Sequence, residues 1–300
     1  MKPRYLGVVN RAAGGGRCGK QVDAVVTRLR AEGLDLEIAE SDRPGHGTEL
    51  ARAAYADGVR HFIAFGGDGT SYEIINGVFP ESLTHGPITL AFQPLGTGNS
   101  FLRDFTQEGL DHATRALIDG RRRSCDVLQM RHRAGVLYYI NLLSMGFAAD
   151  VAVMTNRNFK SFGPLAYLLG IFACLLKLNR RVIPIRLDDD RQFDRRRSLF
   201  LTFNNSKFTG GKMMIAPAAE TDSGFIDMVQ WGPIGRFELI RNLHRLYDGS
   251  HVRHPQAVAR RIRKVEFDLA EPLDVMVDGE VCTIHCEQLE VLPSALQIVV

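Results

Sequence analysis

Short apolar runs alternate with amphipathic segments through the first 126 residues of the chain. The apolar runs are typical of buried parallel strands, and Val22, Val25, Val26 and Leu29 have the spacing of one helix face. Strands are predicted over residues 5–10, 34–39, 61–65 and 88–93, and helices over 21–32, 46–56, 70–79 and from residue 100. This alternation predicts an α/β fold, a parallel sheet with helices on both faces.

The pattern changes after about residue 126. Strands are predicted over residues 136–142, 182–187, 198–203, 225–229, 263–269, 273–277 and 281–286, and helices only over 164–178 and 236–247. Many strands separated by turn residues favour a β-rich second domain such as a sandwich. We therefore expect one domain over residues 1–126 and another over 127–295.

Composition narrows the class of protein. The chain has 300 residues and a net charge of only +3, which argues against a nucleic-acid-binding protein. Its arginines cluster at residues 121–123, 180–181, 195–197 and 260–263. These clusters are interpreted either as ordinary solvated surface or as a surface attracted to anionic phospholipid. Five scattered cysteines without a Cys-x-x-Cys pair suit a reducing cytoplasm.

Two segments bear on localisation, the N-terminus and an apolar stretch in the second half of the chain. The N-terminus has no signal-peptide apolar core, so we expect a cytoplasmic protein. The stretch over residues 162–178 is interrupted by glycine, proline and lysine and is too short to span a membrane. It is predicted to be either a core helix or a helix that lines a lipid pocket or touches a membrane surface.

The segment Gly66–Thr70, with the sequence GGDGT, joins a predicted strand to a predicted helix. Its glycines let backbone amides approach a bulky anion, and a helix N-terminus attracts negative charge. A carboxylate at Asp68 beside phosphates implies a metal ion or a proton to transfer. The alternative is a plain strand-to-helix turn, in which Thr70 and Glu73 form a capping box.

A second glycine loop, Pro94–Phe101, follows the next strand. Because the carboxyl ends of parallel strands open onto one crevice, the two loops can hold one polyphosphate together. The loop Gly14–Lys20 has the G-x-x-x-x-G-K spacing of a P-loop, but Gln21 stands where magnesium needs a hydroxyl, so we expect a supporting role beside Asn10. Asp278–Glu280 is either a hairpin turn or a catalytic motif.

Together these motifs resemble the diacylglycerol kinase catalytic-domain family, which includes bacterial lipid kinases, sphingosine kinases and ceramide kinases. Further matches are Glu73-x-x-Asn76-Gly77, Asn204 with Thr209-Gly210-Gly211, Ala216-Pro217 and Gly224-Phe225-Ile226-Asp227. The resemblance covers nearly the whole chain and keeps the order of the motifs, whereas Gly-Gly-Asp-Gly alone is shared with NAD kinases.

The resemblance implies an α/β ATP-binding domain and a β-sandwich domain with the active site between them, and a last strand, residues 296–300, that returns to the first domain. It also implies Mg²⁺ with ATP, ordered by Asp68, a proton acceptor at Asp278, and Glu280 orienting that site. In the sphingosine kinase branch the aspartate matching Asp68 has been considered for the proton acceptor. The residues expected to contact ATP are Asn10, Ser41, Gly66, Gly67, Asp68, Gly69, Thr70, Ser71, Tyr72, Gly96, Thr97, Gly98 and Asn99.

One position departs from the family. Bacterial members often have an aspartate, a ligand of a structural magnesium, where this chain has Ser223. Asp222 lies one residue earlier, and the main-chain ligands would fall near Glu220 and Phe225. Either Asp222 takes over as ligand, or this metal site is weak or absent.

From the sequence we expect phosphoryl transfer from ATP to a lipid hydroxyl. Phe159 and residues 162–178 are candidates for the acyl-chain pocket. The alternatives are a soluble kinase of the NAD-kinase type and a non-catalytic nucleotide-binding regulator. The acceptor stays open among diacylglycerol, sphingosine, ceramide and phosphatidylglycerol. Peripheral contact with the inner membrane surface is expected, and the oligomeric state is open, with a homodimer among the possibilities.

Overall fold

The computed structural model describes residues 3–154, 174 and 180–300. Apart from Cys174, the predicted helix 164–178 lies outside the described residues, and so does Phe159.

The N-terminal strands form a parallel sheet in the order β2-β1-β3-β4. They are β1 (Arg4–Val9), β2 (Asp35–Glu40), β3 (His61–Gly66) and β4 (Thr89–Pro94). The helices are α1 (Arg17–Ala31), α2 (His46–Ala56), α3 (Asp68–Val78), α4 (Ser82–His85) and α5 (Leu110–Asp119), with a 3-10 helix at Phe101–Asp104. The carboxyl ends of β1, β3 and β4 therefore meet at one edge of the sheet.

Apolar side chains cover both faces of this sheet. One cluster contains Ile74 and Ile75 of α3. The other contains Val22, Val25, Val26 and Leu29, so the predicted face of α1 is confirmed. The predicted α/β architecture of the first domain is also confirmed, and burial on both sides fixes the loops that follow β3 and β4.

The remaining strands are mainly antiparallel. They are β5 (Arg122–His132), β6 (Gly135–Tyr139), β7 (Leu142–Gly146), β8 (Arg181–Val182), β9 (Ile185–Leu187), β10 (Arg197–Ser198), β11 (Phe200–Asn204), β12 (Phe208–Thr209), β13 (Met213–Met214), β14 (Ile226–Trp231), β15 (Ala257–Ile262), β16 (Lys264–Phe267), β17 (Leu273–Val277), β18 (Glu280–Ile284) and β19 (Cys286–Val299). The helices are α6 (Phe147–Met154), α7 (Arg236–Asn242) and α8 (Arg245–Asp248), with a 3-10 helix at Ser250–Arg253.

A six-stranded antiparallel sheet, in the order β15-β14-β11-β7-β17-β18, faces the antiparallel part of the first sheet across an apolar core, as counted over the described ranges. This confirms the expected sandwich-like second domain. The long strand β19 links the two halves, because it pairs antiparallel with β5 and β16 and, at Gln297–Val299, parallel with β4.

Several strand predictions were wrong in detail. Residues 136–142, 182–187 and 198–203 each form two strands rather than one. The strands β5 and β15 were missed because both carry consecutive arginines, which hide the alternation of a half-buried strand. Most of β19 was missed because Pro293 and the positive φ of Ser294, 53°, interrupt it at a register shift.

Candidate functional site

The two glycine loops pack directly against each other at the edge of the parallel sheet. The amide of Gly96 donates to the carbonyl of Gly66 at 2.8 Å. A Cβ on Gly96 would lie 2.7 Å from the nitrogen of Gly67, which is closer than real Cβ atoms come. Only glycine permits this approach, so the sequence places two backbone-lined loops within one small volume.

Asp68 fastens one loop to the other. Its carboxylate accepts hydrogen bonds from the amides of Ser100 at 2.9 Å and Phe101 at 3.3 Å. Burial raises the pKa of Asp68, and the two amides partly offset that rise. Asp68 therefore caps the 3-10 helix of the second loop while it opens α3.

Glu73 does not form the capping box with Thr70 that was the alternative interpretation of this segment, since α3 has no side-chain cap. Its carboxylate instead accepts from the amides of Gly45, at 2.7 Å, and Gly47, at 2.8 Å, where α2 begins. Glu73 thus holds the loop that follows Ser41, a role that no sequence pattern indicates beyond the family match.

The other expected nucleotide contacts fall at the same sheet edge. The amide of Asn10 donates to Phe65 O at 3.1 Å, and the amide of Ser41 donates to Val9 O at 2.8 Å. The side chains of Thr70 and Ser71 are buried, and their amides donate to Gly67 O at 3.0 Å and 3.5 Å.

The loop residues differ in what they offer. Thr97 is exposed, whereas the side-chain amide of Asn99 donates to Pro94 O and to Gly96 O within its own loop. The Arg17 guanidinium donates to Gly96 O as well. Arg17 was not among the expected contacts, although its place beside three glycines could have indicated it. Arg17, Thr97 and Asn99 line one side of a polar cavity of about 380 Å³.

Asp278 is buried, with 2% of its surface exposed, at a positive φ of 47° in the β17–β18 turn. Its carboxylate accepts from the amides of Ile140, Asn141 and Leu142 at 3.0–3.1 Å. Its pKa is raised to about 7, mainly by burial and also by the nearby Asp68, against the lowering effect of the three amides. Carboxylates of the two domains therefore lie within electrostatic reach of each other.

Glu280 contacts the first glycine loop from the second domain. A Cβ on Gly69 would collide with its carboxylate. Glu280 is exposed on one side, and partial burial, followed by the charge of Glu73, raises its pKa. Burial also raises the pKa of Tyr72, and the charges of Cys282, Asp278 and Glu280 add to that rise. Tyr72, Asp278 and Glu280 thus belong to one cluster.

Further contacts hold the domains together at this point. The amide of Gly211 donates to Ser100 Oγ at 3.0 Å. Asn76 donates to Tyr138 O at 2.8 Å and accepts from the amide of Tyr138 at 2.9 Å. The cleft is therefore built from both domains and is braced on two sides.

The segment expected to hold a structural magnesium is held by protein groups. Asp126 accepts from the amides of Gly224, at 2.6 Å, and Ser294, at 2.8 Å. Ser223 Oγ accepts from the amide of Phe225 at 3.2 Å, and Glu220 O accepts from the amide of Ser223 at 3.4 Å. Glu220 also pairs with Arg261, and Asp222 is exposed.

The described part of the chain contains no group of at least three His, Cys, Asp or Glu residues that could hold a metal ion. In the Glu220–Phe225 segment, the side chains of Ser223 and Glu220 are engaged by protein groups and Asp222 is exposed. The magnesium site there stays a prediction.

An apolar cavity of about 110 Å³ lies in the second domain. Its lining includes Leu142, Phe147, Phe200, Met213, Leu239 and Leu246. Leu142 also donates its amide to Asp278, so one residue separates the apolar cavity from the carboxylate cluster.

An α/β domain with two glycine loops, joined to a sandwich-like domain that contributes carboxylates to the same cleft, is the architecture of two-domain kinases. The diacylglycerol kinase catalytic domain matches residues 4–130, and the YegS C-terminal NAD kinase beta sandwich-like domain matches residues 141–300. The chain therefore belongs to the diacylglycerol kinase catalytic-domain family, and the resemblance seen in its motifs is confirmed.

Individual relatives agree with this assignment. The chain is 26% identical over 300 residues to a diacylglycerol kinase of Mycobacterium tuberculosis (strain ATCC 25618 / H37Rv), covering 98% of this chain and 94% of the relative. It is 24% identical over 284 residues to a diacylglycerol kinase of Staphylococcus carnosus (strain TM300), covering 93% of this chain and 89% of the relative. These likenesses support the coarser expectation of a kinase.

Solved structures share the fold. A diacylglycerol kinase from Bacillus anthracis str. Sterne superposes with a TM-score of 0.70 at 19% identity, covering 99% of this chain and 96% of the other. A second structure from the same organism gives a TM-score of 0.78 at 22% identity, covering 99% and 94%. Among the described residues, no helix is both long and apolar enough to cross a membrane.

Proposed function

We propose that the protein transfers the γ-phosphoryl group of ATP to the hydroxyl group of a lipid. The observation that carries the proposal is the meeting of three features: two glycine loops joined by Asp68, the carboxylates of Asp278 and Glu280, and the apolar cavity behind Leu142. A polyphosphate, a proton acceptor and an apolar body each have a matching surface there.

In this proposal the phosphates bind at the N-terminus of α3. Its glycines allow backbone amides to approach the oxygens, and the helix dipole favours the negative charge. Thr97 and Arg17 extend the same edge. Asn10 and Ser41 lie at the ends of β1 and β2, where they contact the rest of the nucleotide.

The carboxylates suit a magnesium ion that accompanies ATP. Asp68 raises the pKa of Asp278, which means that two negative charges repel each other there. A divalent cation would relieve this repulsion and, when bound, neutralises charge on the phosphate oxygens. Asp68 is the residue that would hold it. Phosphoryl transfer then depends on positioning and on proton removal by this chain's own groups.

The hairpin Asp278–Glu280 supplies the proton acceptor. The sequence hypothesis gives that role to Asp278, and a pKa of about 7 suits a general base. However, Asp278 already accepts three amide hydrogen bonds and is almost fully buried. Glu280 is more exposed and lies against Gly69 of the phosphate loop. We therefore favour Glu280 as proton acceptor, with Asp278 positioning the turn and residues 140–142.

The apolar cavity supports a lipid acceptor over a soluble one. Its lining is mostly apolar, with Ser144, Thr202 and Thr209 as the polar side chains, which suits an apolar body better than a dinucleotide. Since the named relatives are diacylglycerol kinases, diacylglycerol is the first acceptor to test. Sphingosine, ceramide and phosphatidylglycerol present the same chemistry and belong in the same panel.

The test is incubation with radiolabelled ATP, Mg²⁺ and each lipid in turn, with NAD as a soluble acceptor and separation by chromatography. We expect label in at least one lipid and none in NAD. Label in NAD alone would support the soluble-kinase alternative. Tight ATP binding without transfer to any acceptor would support the non-catalytic regulator.

A further inference from the structure

The segment α7–α8 exposes large apolar side chains to solvent. Phe237 is 89% exposed, Ile240 is 51% exposed and Tyr247 is 59% exposed. Phe237 and Ile240 are three residues apart on α7, so they lie on the same face of the helix. Solvent exposure of a nearly complete phenylalanine side chain is unfavourable, which suggests that another surface covers this face.

The opposite side of the same segment lines the apolar cavity. Leu239, Leu243 and Leu246 contribute to its wall, and Leu239 is only 1% exposed. One short helical segment therefore separates the cavity from the outside, with apolar side chains on both of its faces.

Basic residues accompany the exposed apolar side chains. Arg241 and His244 are exposed on the same stripe as Phe237 and Ile240, and Arg236 is exposed beside them. The acidic residues of the segment are engaged by neighbours. Glu238 pairs with His254 at 3.1 Å, and Asp248 accepts from the amide of Ser250 at 2.8 Å.

Apolar tips beside the cationic side chains of Arg236 and Arg241 match an interface of acyl chains beneath anionic headgroups. We propose that the outer face of α7–α8, defined by Phe237, Ile240, Arg241, His244 and Tyr247, docks on an anionic phospholipid bilayer. The docked segment then lies between the bilayer and the cavity that receives the lipid. The delivery step rests on the proposed lipid kinase function, whereas docking itself does not.

Docking is tested with the full chain and the double variant Phe237→Ser/Ile240→Ser. The control is Leu83→Ser, which removes a side chain 46% exposed on α4 of the first domain. Co-sedimentation uses vesicles of phosphatidylcholine with phosphatidylglycerol and vesicles of phosphatidylcholine alone. We expect the double variant to bind the anionic vesicles on the order of tenfold more weakly, because partial insertion of two large side chains is lost, while Leu83→Ser binds like the wild type.

Charge is tested separately with Arg241→Glu, which should weaken binding to the anionic vesicles and leave the weaker binding to neutral vesicles unchanged. Unchanged binding by the double variant would overturn the proposal. The proposal would also be overturned if light scattering showed a wild-type dimer that becomes monomeric in the double variant without any loss of vesicle binding. A second copy of the chain would then cover this face.

A water-soluble short-chain diacylglycerol separates docking from catalysis. We expect the double variant to phosphorylate this acceptor at the wild-type rate and to lose activity only toward lipid in vesicles. If the double variant loses vesicle binding while the wild type phosphorylates no lipid at all, the docking surface stands and the proposed function fails. Equal activity of both proteins toward vesicle lipid would contradict the delivery step.

Discussion

The carboxylate of Asp68 accepts a hydrogen bond from the backbone amide of Ser100 at 2.9 Å. This bond crosses from the first glycine loop to the second, and it accompanies a backbone bond from Gly96 to Gly66. Asp68 thus has a structural task in the absence of any ligand. The charge of Asp68 can act on a bound metal ion or phosphate only if the two loops are held at the correct separation.

Replacing Asp68 should affect both tasks. Asp68→Asn keeps the shape but removes the charge and turns an NH₂ group toward one of the two amides. We expect the rate of phosphoryl transfer to fall by about 100-fold or more, and the free energy of unfolding to fall by about 1–3 kcal/mol. Steady-state kinetics and urea unfolding measure the two effects. Asp111→Asn, at an exposed side chain, is the control and should change neither.

The close approach of the two loops gives a second prediction. Gly96→Ala would push a methyl group against the backbone of Gly67, so the loops must separate. We expect loss of ATP binding, measured by calorimetry, on the order of tenfold or more, which is the effect of about 1.4 kcal/mol. Gly235→Ala places its methyl group in open space at an ordinary φ of −77° and should bind ATP normally. Normal ATP binding by Gly96→Ala would show that the nucleotide does not depend on this contact.

The α/β part of the fold was predictable because its signals are local. Strand β3 and helix α2 stand out by an apolar run and by periodicity, and α2 begins and ends at the predicted residues. Strand β19 could not be predicted as one element, since its pairing with β4, β5 and β16 depends on chain segments far apart in the sequence. Its internal proline and register shift conceal that continuity.

The candidate site shows the same division. The glycines of both loops have a local signature, because each precedes a helical element after a strand. The engagement of Asp278 by residues 140–142 and of Glu73 by α2 has none, since hydrogen bonds to backbone amides do not require a particular sequence in the donor. The sequence could therefore indicate which carboxylates matter but not how their roles divide.

The third prediction concerns the roles of Glu280 as proton acceptor and of Asp278 as the residue that positions the turn. Glu280→Gln should lower kcat by about 10²–10⁴-fold, as loss of a general base does. It should change the melting temperature little, because Gln keeps the shape of this partly exposed side chain. Asp278→Asn should lower the melting temperature as well, since an amide cannot accept from all three backbone donors with both of its polar atoms. Near-full lipid-dependent ADP release by Glu280→Gln would return the role of base to Asp278.

The raised pKa of Asp278 predicts a pH dependence of stability. A carboxyl group with a pKa of about 7 in the folded state retains its proton where the unfolded chain, with the ordinary aspartate pKa of 3.8, has lost it. The folded state therefore binds more protons over this interval, and the free energy of unfolding falls as the pH rises. We expect the stability of the wild type relative to Asp278→Asn to decline between about pH 4 and about pH 7 in urea unfolding and to level off above that. A constant difference would mean that Asp278 titrates normally.

The last prediction concerns the segment Glu220–Phe225. Asp126 and Ser223 accept hydrogen bonds from the amides of Gly224 and Phe225 in this segment. We therefore expect that a chelator will not change the melting temperature of the nucleotide-free protein, while Asp126→Asn will lower it. The free energy of unfolding of Asp126→Asn should fall by about 1–3 kcal/mol, because the amides of Gly224 and Ser294 would lose a charged acceptor. Asp222→Asn, at an exposed carboxylate, is the matched control and should be neutral. A large drop in melting temperature with the chelator, absent in Asp222→Asn, would instead identify Asp222 as the ligand that replaces the family's aspartate.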